Sequence, residues 1–253
     1  MSSKNVYLNN SKKFPNDEYY TLHREIKLEL DFVDYQNYLK DKIVYCNCDN
    51  ENSEFVKYLK KQPQIKELIY SSTDFRSPEN IKKLKYCDVV ITNPPFSLIR
   101  EYFNLLFKEK KKYLIIAHVL AAGYSIIYNN LSLSWSRTYN RNMAFSNGKH
   151  IKIGWYTNIS LPNRKIHNIS LTKTFDSNYY KTIKNSNIIN VDRVKEIPID
   201  YYGLIAVPIS VFKYKLEDDI FDIGGFRYKF ISLTIPLLED DKKLFSRYII
   251  QRV

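Results

Sequence analysis

The sequence predicts an α/β fold: a doubly wound sheet, followed by a β-rich, basic C-terminal part. Three observations predict it. From residue 42 to about 131, short β-branched and aromatic runs alternate with segments whose apolar residues recur at helical spacing. After about residue 132 this alternation gives way to shorter runs rich in Thr, Ile and Tyr. No repeat and no Gly/Ser- or Pro-rich linker separates the two stretches, and only 6 of the 253 residues are glycine. The expected division is an α/β core over 1–131 and a β-rich part over 132–253 that completes the sheet.

Taken in order, the first ten or so residues are polar and expected to be loose. Leu22, Ile26, Leu30, Val33 and Tyr38 predict helix within 22–41. "KIVYC" (42–46) reads as strand, "NSEFVKYLKKQ" (52–62) as a helix stopped by Pro63, and "KELIYS" (66–71) as a second strand. Ser77-Pro78-Glu79 offers a cap, a proline at the first helical position and an acid in the first turn, so a helix is expected to about Tyr86. A buried strand over 87–92, a helix over 98–109, a strand over 112–119 and a helix near 124–131 follow. In the second half, 150–160, 166–175 and 203–214 are predicted as strands and hairpins.

Composition limits the function classes. The 39 Lys+Arg against 27 Asp+Glu give a formal charge of +12, which favours a polyanionic partner, nucleic acid before an acidic membrane surface. A Lys-rich background composition would produce the same excess. The 22 Tyr and 14 Phe suit base stacking, or simply the core. Cys46, Cys48 and Cys87 are too few and wrongly spaced for a disulfide framework or a closed zinc site, which points to reduced thiols in the cytoplasm. The four histidines lack ligand spacing, so no metal is expected. The opening residues contain no apolar core of signal-peptide length, and no later run is long and uncharged enough to span a bilayer. A soluble protein with no membrane partner is expected.

The informative stretch is "CDVVITNPPFSLIREYFNLL" (87–106), where Asn93-Pro94-Pro95-Phe96 joins a buried strand to a helix. Open α/β sheets bind ligands outside the carboxyl ends of their strands. Two prolines fix φ and remove the backbone N–H at 94 and 95, leaving a stiff loop that presents carbonyls. Asn93 adds another acceptor and Phe96 a flat face. Acceptors beside a stacking ring suit the exocyclic amino group of an adenine. Hydrogen bonds drawn from that group free its nitrogen lone pair to attack an electrophilic methyl, with no strong general base required. A base within a duplex must first be flipped out. The plainer alternative is a strand-terminating turn with a core Phe.

At this point the sequence resembles the EcoRI-type adenine-specific DNA methyltransferase family. "NPPF" resembles its [DNS]-P-P-[YFW] motif, and "DVVITNPPFSLIREYF" its motif-bearing strand and helix. "NDEYYT" (16–21), "VYCNCDN" (44–50) and "DFRSPENIKKLKYCDVV" (74–90) resemble further segments of the family, as do "WYTN" (155–158), "IPIDYYGLIAVPISVF" (197–212) and "FSRYIIQRV" (245–253). The likeness therefore runs from about residue 16 to the end. It implies a Rossmann-like methyltransferase fold, S-adenosylmethionine as methyl donor, transfer to adenine N6 in double-stranded DNA, and a restriction–modification role. A monomer is the working expectation.

Position by position, the resemblance places Asn93, Pro94 and Phe96 on the target adenine, with Pro95 shaping the loop. It places Tyr20, Thr21, Cys46, Asn47, Cys48, Asp49, Asp74 and Phe75 at the donor. Each has a structural alternative. Tyr20 and Thr21 would serve as staple and cap of the next helix, and the cysteines as small buried hydrophobes. Asp49 would cap the helix near 52, and Asp74 the turn before Ser77. Asn47-Cys48-Asp49 stands where a glycine-rich fingerprint is usual, although a donor without pyrophosphate needs no phosphate cradle. Ser71 and Ser72 stand where an acidic residue usually ends the second strand.

Arg137, Arg141, Asn142, Lys149, Arg164 and Lys165, mixed with Trp135, Tyr139 and Trp155, are the candidates for the phosphate-contacting face, against the alternative of a solvated basic surface. An RNA adenine or a glutamine side chain as substrate, and a nucleic-acid-binding relative that no longer methylates, are the competing functional readings.

Overall fold

The computed structural model describes residues 20–31, 35–119, 121, 134–135, 141–159, 169–217, 220–234, 238 and 247–253. The chain divides into two compact units, Met1–Val119 with Ser136–Arg164, and Leu120–Trp135 with Lys165–Val253.

The first unit is mixed α/β. Helices α1 (His23–Leu30) and α2 (Tyr35–Leu39) occupy the stretch predicted as helix within 22–41. Strand β1 (Ile43–Cys46) leads to α3 (Glu54–Leu59), β2 (Glu67–Tyr70) to α4 (Pro78–Tyr86), and β3 (Val89–Thr92) to α5 (Ile99–Lys108). Strands β4 (Lys112–His118), β5 (Arg141–Ala144) and β6 (His150–Thr157) complete it. Helix α4 starts as expected, with Pro78 in the first turn and the Ser77 hydroxyl accepting from Asn80 N.

Strands β2, β1, β3 and β4 lie side by side in that order and run parallel, and β6 then pairs antiparallel with β4 and carries β5. Every residue of β1 and β3 is buried, which explains their unbroken apolar sequences. From β1 the chain steps outward to β2 and then returns to the other side of β1 as β3. The parallel strands thus end on one side, with a change of direction between β1 and β3. Ligand crevices form at such points.

The second unit holds β7 (Ile189–Asn190), β8 (Leu204–Pro208), β9 (Lys215–Glu217), β10 (Ile220–Ile223), β11 (Phe226–Thr234) and β12 (Arg247–Arg252). They form one sheet in the order β9-β10-β11-β12-β8-β7, antiparallel except for β7 beside β8. Gly224 and Gly225, at φ +65° and +82°, make the tight turn between β10 and β11. Phe212 packs edge-on against Phe221 and Tyr248 at 5.8 and 4.7 Å.

Two predicted strands differ from this structure. Within 166–175, residues 169–175 carry no strand: Lys173 O accepts from Ile199 N and Phe175 N donates to Asp200, isolated bonds rather than a ladder. The strand predicted over 203–214 stops at Pro208, and Ile209–Tyr214 coils into 3-10 turns. The helix expected near 124–131 lies outside the described residues. Among the described residues, no helix is long and apolar enough to cross a membrane and no group of three or more His, Cys, Asp or Glu is placed to hold a metal ion.

Candidate functional site

A cavity of about 780 Å3 opens in the first unit, beyond the carboxyl ends of its parallel strands. Three loops and one incoming segment build most of it: 48–55 after β1, 72–76 after β2, 93–98 after β3, and 20–23 leading into α1, with Ser146 added from the segment after β5.

The loop after β1 is fastened by polar side chains. Asn47 is fully buried and accepts a hydrogen bond from the Tyr102 hydroxyl of α5. Asp49 N donates to Ser71 O at 3.1 Å, and its carboxylate accepts from Thr92 Oγ1 at 2.5 Å. Burial pushes the Asp49 carboxyl up to about 6, against the lowering effect of hydrogen bonds from Thr92 and Ser53. Burial also raises the Cys46 and Cys48 thiols well above their ordinary range, and the nearby Asp49 charge adds to it. Both remain protonated, weak nucleophiles. Asp49 does not cap α3; Ser53 does, accepting from Val56 N at 3.2 Å.

The loop after β2 turns on Asn80, which is fully buried in α4. Its amide donates to Thr73 Oγ1 and Asp74 O, both at 2.8 Å, and its oxygen accepts from the Tyr45 hydroxyl at 3.0 Å. Asp74 accepts from Arg76 N and Nε, each at 2.9 Å, and from Nη2 at 3.1 Å. Burial raises its carboxyl, but these bonds together outweigh burial and hold it below its ordinary value. The turn role expected of Asp74 is thus present at a residue that also lines the cavity. Phe75 packs edge-on against Tyr102 at 5.0 Å.

The loop after β3 is Asn93–Phe96 itself. Pro94 is buried and Pro95 exposed, with Pro95 at φ −57° and its carbonyl accepting from Leu98 N at 3.0 Å. Phe96 is half-buried and meets Phe145 edge-on at 6.2 Å. Thr21 pairs with Phe145 through an isolated antiparallel bridge, and Ser146 N donates to Tyr20 O at 3.0 Å. Thr21 does not cap α1, whose N-cap position is Leu22 without a side-chain bond. The Thr21 hydroxyl is buried and has no hydrogen-bond partner among the described residues.

Of the residues singled out from sequence, Tyr20, Thr21, Cys48, Asp49, Asp74, Phe75, Asn93, Pro94, Pro95 and Phe96 all line this cavity. Cys46 and Asn47 do not: Cys46 is in the apolar core and Asn47 is turned to Tyr102. Arg76, Ser72, Thr73, Asn52, Ser53 and Ser146 line it and were not singled out as ligand-binding. Arg76 stood within the quoted "DFRS" segment. Ser146 had no local signal; its N–H to Tyr20 O and the neighbouring Phe145–Thr21 bridge bring it in.

The basic candidates are placed elsewhere. Arg137, Arg164 and Lys165, like Trp135 and Tyr139 as side chains, lie outside the described residues. Arg141 and Asn142 are in β5, Asn142 is exposed, and exposed Lys149 precedes β6; none lines the cavity. Trp155, expected among the surface aromatics, is instead buried, edge-on to Phe55 at 5.9 Å. Its large apolar surface fills the space between sheet and α3.

The cavity has the size of a small-molecule site, with Asn93–Phe96 along one wall. The family model described as "Adenine-specific methyltransferase EcoRI" matches residues 7–71, 63–146 and 132–235, and the chain belongs to this family. It is 31% identical over 299 aligned positions to the type II methyltransferase M.EcoRI of Escherichia coli, covering 89% of this chain and 90% of the relative. It is also 30% identical to M.MgeORF184P of Mycoplasma genitalium and 29% to M.MpnI of Mycoplasma pneumoniae, both type II methyltransferases, with 81% of each chain covered.

Proposed function

We propose that the chain is an S-adenosylmethionine-dependent methyltransferase acting on N6 of adenine in double-stranded DNA, the base being flipped out of the helix to reach the cavity. One observation carries this reading: Asn93–Phe96 meets Thr21, Asp49, Asp74 and Phe75 around a single cavity. The strand order 2-1-3-4 supports a Rossmann-like sheet. The family description and the relatives' names support the reaction, and the +12 charge supports DNA as partner. A restriction–modification role in the cytoplasm, carried out by a monomer, completes the reading.

The residues fit such a donor. The unpartnered, buried Thr21 hydroxyl and the buried Asp49 carboxylate are polar groups that a ligand would satisfy, and Phe75 is an apolar wall. When bound, S-adenosylmethionine supplies an electrophilic methyl on a positively charged sulfur. Above about pH 6 the Asp49 carboxylate is mostly ionised and would attract that positive charge. Asn93 and the Pro94 carbonyl would accept hydrogen bonds from the adenine amino group, and Phe96 would stack on the ring. These contacts draw the amino lone pair out of conjugation, so positioning does most of the work.

The test is tritiated donor offered to DNA, RNA and protein, with the unaltered chain and with Asn93→Ala. Label is expected in DNA, falling by roughly 10²–10³-fold in the variant while DNA binding persists. Label in RNA alone would move the substrate. Donor binding undetectable by calorimetry, with nucleic acid still bound, would sink the enzyme reading.

A further inference from the structure

Asn93–Phe96 has no backbone N–H at its two prolines with which to anchor itself. Side-chain bonds just outside the tetrapeptide reach the other loops of the cavity, one from each flank. On the N-terminal flank, fully buried Thr92 donates to Asp49 at 2.5 Å. On the C-terminal flank, Glu101 in the first turn of α5 accepts from Arg76 Nη1 at 2.7 Å.

Arg76 is itself firmly held. Two of its nitrogens fork onto Asp74 at 2.9 and 3.1 Å, and its guanidinium lies 5.4 Å from the Phe75 ring centre. The third nitrogen is the one that reaches Glu101. A planar guanidinium can satisfy two carboxylates at fixed angles; an ammonium cannot hold both with the same directionality.

We infer that Arg76 is a positioning residue: with the Thr92–Asp49 bond, its bridge to Glu101 fixes the acceptor tetrapeptide relative to the loops proposed to hold the methyl donor. The inference rests on the proposed reaction and adds to it a link between the two half-sites. Glu101 does not line the cavity; Arg76, which does, is the residue that links it there. The Glu101 side chain is about half exposed, and such ion pairs add little to folding stability. Displacements of an ångström between reacting groups, by contrast, cost rate steeply.

Glu101→Ala and Glu101→Gln test this in the full chain. For Glu101→Ala the expected result is a thermal midpoint close to that of the parent, donor affinity without DNA within twofold, and kcat for DNA methylation about tenfold lower. Glu101→Gln, whose amide oxygen still accepts from Arg76, should recover most of that loss. In the parent, donor binding should slow amide hydrogen exchange over 96–101, and Glu101→Ala should abolish that response. An unchanged kcat and an unchanged exchange response in Glu101→Ala would overturn the bridge while leaving the methyltransferase reading standing. A parent that neither binds donor nor labels DNA would overturn both.

Discussion

The loop after β1 and the loop after β3 leave adjacent parallel strands and line the same cavity, yet they are stiffened by opposite means. The first holds its shape through a buried polar network: Tyr102 on Asn47, Thr92 on Asp49, and the Asp49–Ser71 backbone pair. The second is shaped covalently, by two consecutive prolines. The difference shows how a glycine-free loop can end a core strand beside a cavity: hydrogen bonds from neighbouring elements take over the shaping that glycines usually provide. It also predicts that the two loops fail differently, one through lost polar partners and one through regained chain freedom.

The largest consequence falls on Asp49. Its carboxyl is raised from 3.8 to about 6 by burial, so the folded state binds a proton more tightly than the unfolded state. The stability contributed by that proton is present below about pH 4 and lost as pH rises through 6. Asp49→Asn removes the titration while keeping an acceptor for Thr92. Its unfolding free energy relative to the parent should therefore improve by roughly 2 kcal/mol between pH 4 and pH 7. Denaturant titrations across that range measure it. A pH-independent difference would mean that the network does not bury the charge, and the contrast between the loops would break.

Next in size is Asn80→Ala, which strips three bonds at once, from Tyr45, Thr73 and Asp74. Losing those bonds, of which the Tyr45–Asn80 one is fully buried, should cost about 2 kcal/mol in unfolding free energy. Donor affinity should weaken with it, because Thr73 and Asp74 line the cavity. Lost stability with unchanged donor affinity would detach the loop after β2 from ligand binding and sharpen the comparison to the other two loops.

Much of this arrangement is legible in the sequence where local chemistry decides it. The Ser77-Pro78-Glu79 start, the buried runs of β1 and β3 and the Asn93–Phe96 junction all follow from residue types at short spacing. Tertiary partners account for the misses. Asp49 can also be read as a helix cap until Ser53 is seen to take that place and Thr92 to bond its carboxylate. Asn47, in the segment assigned to the donor, turns inward because Tyr102 lies 55 residues further on. The strand predicted past Pro208 fails although Val211 and Phe212 are apolar, because both are buried in 3-10 turns instead. The turn at Gly224-Gly225 was, by contrast, available as a two-glycine hairpin signal.

The smallest effect tests the covalent half of the comparison. Pro95 is exposed, sits at φ −57°, and lacks only an N–H that water would satisfy in its replacement. Pro95→Ala therefore breaks no hydrogen bond, and its carbonyl can still accept from Leu98. What changes is the unfolded chain, which gains conformations, and the loop, which gains freedom in φ. The expected cost is about 0.4–1 kcal/mol in unfolding free energy, below that of Asn80→Ala. Methyl transfer should slow while donor affinity stays level, because the carbonyls proposed to receive the adenine lose their fixed direction. A stability loss larger than that of Asn80→Ala would show that Pro95 is packed rather than merely restraining, and the two loops would then share one mode of support.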